Sequence, residues 1–240
     1  SRADVLDLLA MVQDCFPAAG ITLDDVLTTW AGIRPLIEEN GKTTRDTSRE
    51  DEVWPGPDGL VTIAGGKLTT YRRMAGRVIK EVLNALGDSP VMDDRTAEVR
   101  LPGCPAGDVS KFIGDRLDRL GEAGVPEATL KRLGFLYGTQ LDDLLALARE
   151  DPTWLAPLGE DVPALRGEVR LAVMKEMAAT LIDVMDRRLA LLLFSPDSGL
   201  SGASEAASIM GVLLGWDEAR VDAELSGYRA YVMEHRVPAS

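Results

Sequence analysis

The 240-residue chain is short of the side chains that most often carry chemistry, with two cysteines, one histidine and 5% aromatic residues. Cys15 and Cys104 stand far apart in unlike contexts, and no second pair completes a zinc spacing. Both are read as reduced thiols of a cytoplasmic protein. The lone His235 lies in a polar tail, which removes histidine-based zinc sites and most Ser-His or Cys-His nucleophile schemes, and no metal is expected. Basic residues are scarce too, 26 against 39 acidic ones. The net charge of −13 repels a phosphate backbone and sets nucleic acid aside as a partner. No apolar run reaches the ~18 residues of a membrane-spanning helix, and Ser1-Arg2-Ala3-Asp4 lacks the regions of a signal peptide. Trp30, Trp54, Trp154 and Trp216 show no spacing for a base-stacking platform, so core or domain-interface packing is expected of them.

What is present is enough apolar sequence, 45% hydrophobic residues, for one large or two small cores. Val5, Leu8, Leu9, Val12, Cys15 and Phe16 recur at helical spacing, and Pro17 to Gly20 end that helix. Val26 to Ile37 is rich in Val, Thr, Trp and Ile and predicts a strand that bulges or ends near Arg34. Asp51 to Trp54 and Leu60 to Ala64 predict two more strands, joined by the turn Pro55-Gly56-Pro57-Asp58-Gly59. After Gly65-Gly66, the stripe Tyr71, Met74, Val78, Val82 and Leu86 predicts the strongest helix of the first half, closed by Gly87. These pieces are too few to bury a sheet on both faces, so the chain is expected to begin inside a larger domain. Prolines and small acidic residues mark 89–108 as a linker. Helical periods fill 109–240, the longest running from Leu165 to Arg188.

Three features could carry chemistry. The strand, Gly65-Gly66-Lys67 and helix sequence lets a ligand approach the backbone, and the helix N-terminus offers unpaired N–H groups with about half a unit of positive charge. It is not a Walker A loop, because Val61 replaces the first glycine and Leu68 stands where Ser or Thr must bind magnesium. On turn chemistry alone, a tight turn with an exposed lysine explains it as well. Arg34, in an apolar stretch, and Arg45 and Arg49, in a polar loop, could grip a phosphate or carboxylate through paired hydrogen bonds. Read locally, Arg34 pairs with Glu38 or Glu39 and the other two are solvated charges. Glu176 and Asp183, with Asp186 near them, share a face of the long predicted helix, but Arg187 and Arg188 follow closely, so ion pairing is favoured over catalysis.

The string Trp30-Ala31-Gly32-Ile33-Arg34-Pro35-Leu36, then Ser48-Arg49, then Gly59 through Arg72 (GLVTIAGGKLTTYR) closely resembles the FAD-dependent glycerol-3-phosphate dehydrogenases. Glu168 through Arg188, followed by Gly215-Trp216, resembles the helical C-terminal domain of the same family. The dinucleotide fingerprint G-x-G-x-x-G is absent, so the resemblance implies a C-terminal portion whose FAD is held mainly by a missing first half. The implied fold class is α+β: residues 1–88 are the end of a flavoprotein FAD/substrate region of few strands plus helices, and 109–240 are an all-α domain. The isolated portion is expected to be inactive.

The resemblance also assigns roles. Arg34 and Arg49 match the arginines that bind the substrate phosphate, with Arg45 a competitor for the second place. Lys67 matches a lysine close to flavin and substrate, which makes it a catalytic candidate. Gly65, Gly66, Lys67, Leu68, Thr69 and Thr70 form the cofactor-binding turn, whose N–H groups face the flavin pyrimidine edge. The implied reaction removes the C2 hydroxyl proton of sn-glycerol 3-phosphate and transfers hydride from C2 to flavin N5, giving dihydroxyacetone phosphate. Electrons pass to a quinone, or to oxygen in a glycerol-3-phosphate oxidase, the dehydrogenase being favoured because no oxidase-type insertion is found. Removing one arm of a desolvated phosphate clamp costs about 2 to 5 kcal/mol. A homodimer and peripheral contact with the cytoplasmic membrane face, through the parent protein only, are further implications. The competing reading is a non-enzymatic helical interaction or dimerisation module.

Overall fold

Ser1 and Asp4 close a reciprocal cap on the first helix, α1 (Arg2–Cys15): the Ser1 hydroxyl accepts the Asp4 N–H, and the Asp4 carboxylate accepts from the Ser1 amine at 2.9 Å. The computed structural model to which α1 belongs describes residues 1–33, 51–88, 95–160 and 162–238. Val5 and Leu9 of the predicted stripe are half-buried, while Leu8, Met11 and Phe16 are exposed. The strand predicted over Val26 to Ile37 does not form in its described part, residues 26–33. Their β propensity is overridden because Thr28 and Thr29 bond to the C-terminal tail, the Thr29 N–H donating to the His235 carbonyl at 2.7 Å.

Two compact units emerge, one combining residues 1–30 with 102–240 and the other spanning 31–101. They separate residues 1–30 from the rest of the 1–88 stretch that the sequence reading keeps together. In the 31–101 unit, β1 (Asp51–Pro55) pairs antiparallel with β2 (Val61–Gly65), Val53 opposite Ile63. Asp58 and Gly59 take positive φ in the connecting turn, as the proline- and glycine-rich sequence requires. Helix α2 (Tyr71–Leu86) packs on both strands and ends at Gly87, whose positive φ lets its N–H reach the Asn84 carbonyl. No described residue of this unit is fully buried: Met74, Val78 and Val82 are half-covered, and Trp54, Leu60 and Leu68 are exposed. Two strands and one helix supply too little surface to enclose a core.

The helical body of the other unit contains α3 (Val109–Glu122), α4 (Glu127–Leu136), α5 (Leu141–Glu150), α6 (Arg166–Glu176), α7 (Leu191–Phe194), α8 (Leu200–Leu214) and α9 (Glu218–Glu234). Leu120, Leu133, Leu141 and Leu144 from α3 to α5 form one cluster, joined by Leu165 and Leu171. A second gathers Val169, Met185, Ala206, Met210, Tyr228 and Val232 from α6 onward, and half-buried Trp154 packs on both. Small residues on α8 permit close approach, since a side chain on Gly159 would come within 2.7 Å of the Gly202 backbone nitrogen. The single long helix predicted from Leu165 to Arg188 is corrected: Met177 adopts a left-handed φ of 57° and ends α6. A π-helical segment, Asp183–Arg188, follows separately. Glu176 and Asp183 therefore do not share a helix face.

Candidate functional site

The Gly65-Gly66 turn joins β2 to α2 and gives the candidate site its shape. Both glycines have positive φ, 74° and 90°, a region that L side chains avoid. At Gly66 there is also no room: a Cβ would lie 2.6 Å from the Met74 methyl carbon and 3.0 Å from Asp51 Cβ. Asp51 is held in turn by an ion pair with Arg77 on α2, which ties the start of β1 to the helix beneath the turn.

A short 3₁₀ turn, Leu68–Thr70, intervenes between the glycines and α2, so the helix starts later than the sequence indicates. The N–H and hydroxyl of Thr70 both donate to the Lys67 carbonyl, at 3.0 and 2.9 Å. The Thr70 N–H is thus consumed inside the turn and cannot serve a ligand. The N–H groups of Gly66, Lys67, Leu68 and Thr69 have no hydrogen-bond partner among the described residues. No acidic residue stands in the first turn of α2 to neutralise the positive helix end. Lys67, Leu68, Thr69 and Thr70 are all exposed. The turn is an open, electropositive set of backbone donors that suits a polar or anionic oxygen.

Arg34, Arg45 and Arg49 lie outside the described residues. The described approach to Arg34 ends at Ile33, and Trp30 and Ile33 are exposed. Trp54 is exposed too, whereas Trp154 and Trp216 pack against the helical core, as expected of them.

Near the Met177 corner, Asp183 acts as a cap and an ion-pair partner. The Asp183 carboxylate accepts from the Ala179 and Thr180 N–H groups at 3.0 and 2.9 Å and pairs with Arg187 at 2.5 Å. Burial opposes its ionisation, but these donors outweigh burial and hold its pKa at about 2. Arg188 donates to the Glu176 carbonyl at 2.7 Å, satisfying the end of α6.

Sequence reasoning missed one buried charge pair. Glu168 is fully buried, accepts from both terminal nitrogens of Arg132 at 2.7 Å, and accepts the Leu165 N–H at 2.7 Å. Burial pushes the Glu168 carboxyl up, against the pull of the Arg132 guanidinium. Its position three residues after Leu165 at the start of α6 was the available signal. Enclosed by its own donors, the pair is structural.

Residues 94–221 match the family described as the C-terminal domain of alpha-glycerophosphate oxidase. The aerobic glycerol-3-phosphate dehydrogenase of Staphylococcus epidermidis strain RP62A is 30% identical over 222 residues, which cover 90% of this chain and 39% of that protein. The enzyme of the same name from Staphylococcus aureus strain USA300 has the same identity and coverage. The X-ray structure of the glycerol-3-phosphate dehydrogenase from Bacillus halodurans complexed with FAD superimposes with a TM-score of 0.79 at 27% identity, covering 99% of this chain and 46% of that one. The chain therefore spans less than half the length of these relatives.

Proposed function

This chain belongs to the family of the C-terminal domain of alpha-glycerophosphate oxidase, and from that premise we propose that it is the C-terminal part of an FAD-dependent sn-glycerol-3-phosphate dehydrogenase. The observation that carries the reading is the 30% identity with aerobic glycerol-3-phosphate dehydrogenases along 90% of the chain. The Gly65–Thr69 turn suits a flavin: positive φ at both glycines lets a ligand approach the backbone, and the N–H groups of Gly66 to Thr69, without a partner among the described residues, suit an oxygen-bearing ring edge. Bound FAD supplies the two-electron acceptor for oxidation of the substrate alcohol.

The chain's own residues bind and orient. Arg34 and Arg49 hold the phosphate dianion of glycerol 3-phosphate by paired, charge-assisted hydrogen bonds, fixing the C2 carbon relative to the cofactor. Lys67 adds positive charge at the open turn, and the N–H groups of Gly66 to Thr69 stabilise negative charge that builds on the flavin edge. The base that takes the C2 hydroxyl proton comes from outside this chain. So does most of the FAD site, and the chain alone is inactive. Electrons leave to a quinone at the membrane face, and the working form is a homodimer. The supporting sequence signal for a dehydrogenase over an oxidase is the lack of an oxidase-type insertion.

Calorimetric titration with sn-glycerol 3-phosphate tests the phosphate grip. The chain binds glycerol 3-phosphate and not glycerol, Arg34→Ala and Arg49→Ala each abolish binding, and Arg45→Ala retains it. Equal response to the two ligands, or binding indifferent to both Arg34→Ala and Arg49→Ala, overturns the assignment.

A further inference from the structure

We propose that the outward apolar face of α1 is a docking surface whose occupant is the portion of the dehydrogenase that this chain does not cover. That portion meets α1 with an apolar patch edged by Lys or Arg. The inference rests on the reading of the chain as part of a glycerol-3-phosphate dehydrogenase, and it adds a surface of attachment to that reading. Leu8, Met11, Val12 and Cys15 recur at the i, i+3, i+4, i+7 spacing of one helix face, and Phe16 continues it past the last turn. All five are exposed, Leu8 at 62%, Met11 at 60% and Phe16 at 64%. Single apolar residues on a surface need no explanation, but a contiguous apolar face on one helix marks an interaction site and has the anchor spacing of a helix seated in a groove.

The chain itself holds a different side of α1, lined by Arg2, Val5, Leu9 and Gln13. Val5 and Leu9 are half-buried, Arg2 Nη1 donates to the Pro238 carbonyl at 3.3 Å, and Gln13 Nε2 donates to the Ile21 carbonyl at 2.7 Å. The helix is therefore anchored with its apolar stripe turned outward, and none of its residues is fully buried. Charge then selects the occupant. Asp7 and Asp14, seven residues apart, lie on one flank of the stripe beside Met11, exposed and without a side-chain partner among the described residues. A lipid surface fits poorly, because interfacial helices carry Lys and Arg on the polar face and the one basic residue of α1, Arg2, is engaged by Pro238. A second copy fits poorly too: an antiparallel two-fold pairing sets each flank against its own equal, Asp7 facing Asp14, between chains of net charge −13. The aerobic dehydrogenases offer a third occupant, since the matched residues make up 39% of their length and the remainder is large enough to cover a helix face. A basic edge on that remainder neutralises Asp7 and Asp14.

Cys15 lies on the stripe and reports its cover. Cys104→Ser leaves it the single thiol, and its rate of maleimide labelling is measured on the chain alone and on a chimera joining this chain to the portion of the Bacillus halodurans dehydrogenase that it does not cover. In the isolated chain Cys15 labels at the rate of a free thiol, whatever the chain concentration and with or without phosphatidylcholine vesicles. In the chimera labelling slows about tenfold or more, Met11→Glu restores the fast rate, and Asp7→Lys combined with Asp14→Lys restores part of it. Slow labelling in the isolated chain, protection that grows with its concentration, or protection conferred by vesicles assigns the face to the chain itself, a second copy or a lipid surface, and each overturns the proposal. Equally fast labelling in the chimera and the isolated chain overturns it as well. If Cys15 is protected but the chimera does not oxidise glycerol 3-phosphate, the docking face stands and the dehydrogenase reading falls; turnover with Cys15 unprotected does the reverse.

Discussion

Gly66 is the position where backbone and side-chain constraints coincide. Its φ of 90° and the 2.6 Å approach that a Cβ would make to Met74 both oppose substitution. Gly66→Ala is expected to destabilise the β1–β2–α2 unit by about 2 kcal/mol, from left-handed strain and overpacking together. Faster amide exchange in α2, with exchange in the helical body unaltered, is the measurement. At Asp183 the sign of the pH dependence follows from a pKa of about 2, below the ordinary 3.8. The ionised carboxylate contributes stability above about pH 4, and that contribution is lost as pH falls through about 2. Asp183→Asn therefore unfolds more easily by about 1 to 2 kcal/mol at neutral pH, and the gap from the unmodified chain closes on acidification, as denaturant titrations at several pH values will record. Glu168→Ala leaves the Arg132 guanidinium, 15% exposed, without its partner. A loss of about 3 to 5 kcal/mol in urea unfolding is expected.

Among the elements, those whose signals are local were legible. The β1–β2 hairpin announces itself through Pro55 to Gly59, and α2 through its stripe and Gly87. Residues 26–33 were misread because what holds Thr28 and Thr29 is a carbonyl at His235, more than two hundred positions away. No periodicity encodes such a partner. The break at Met177 was hidden because neither Gly nor Pro marks it. Its trace is Thr180 and Asp183, spaced as a helix start inside what otherwise reads as one continuous helix. Met177 is exposed and left-handed, so its side chain contributes little packing while its backbone carries strain. Met177→Gly is expected to raise the melting temperature, by about 0.5 to 1 kcal/mol of stability, in a thermal unfolding experiment.

At the scale of the whole molecule, the helical body was readable because its apolar residues recur at helical spacing and find one another within 109–240. The candidate site was only partly readable by residue type. Gly65 and Gly66 declare a turn, but the assignment of Arg34 and Arg49 came from their place in family strings, since an arginine in a polar loop is locally indistinguishable from a solvated charge. The 31–101 unit differs from the helical body in having no fully buried described residue, and the chain spans 39% of the dehydrogenases it resembles. The most direct measurement joins this chain to the portion of the Bacillus halodurans dehydrogenase that it does not cover and follows reduction of an acceptor dye. Turnover is expected to require glycerol 3-phosphate and to disappear in Arg34→Ala. A folded, flavin-loaded chimera that leaves the dye oxidised in the presence of glycerol 3-phosphate contradicts the assignment.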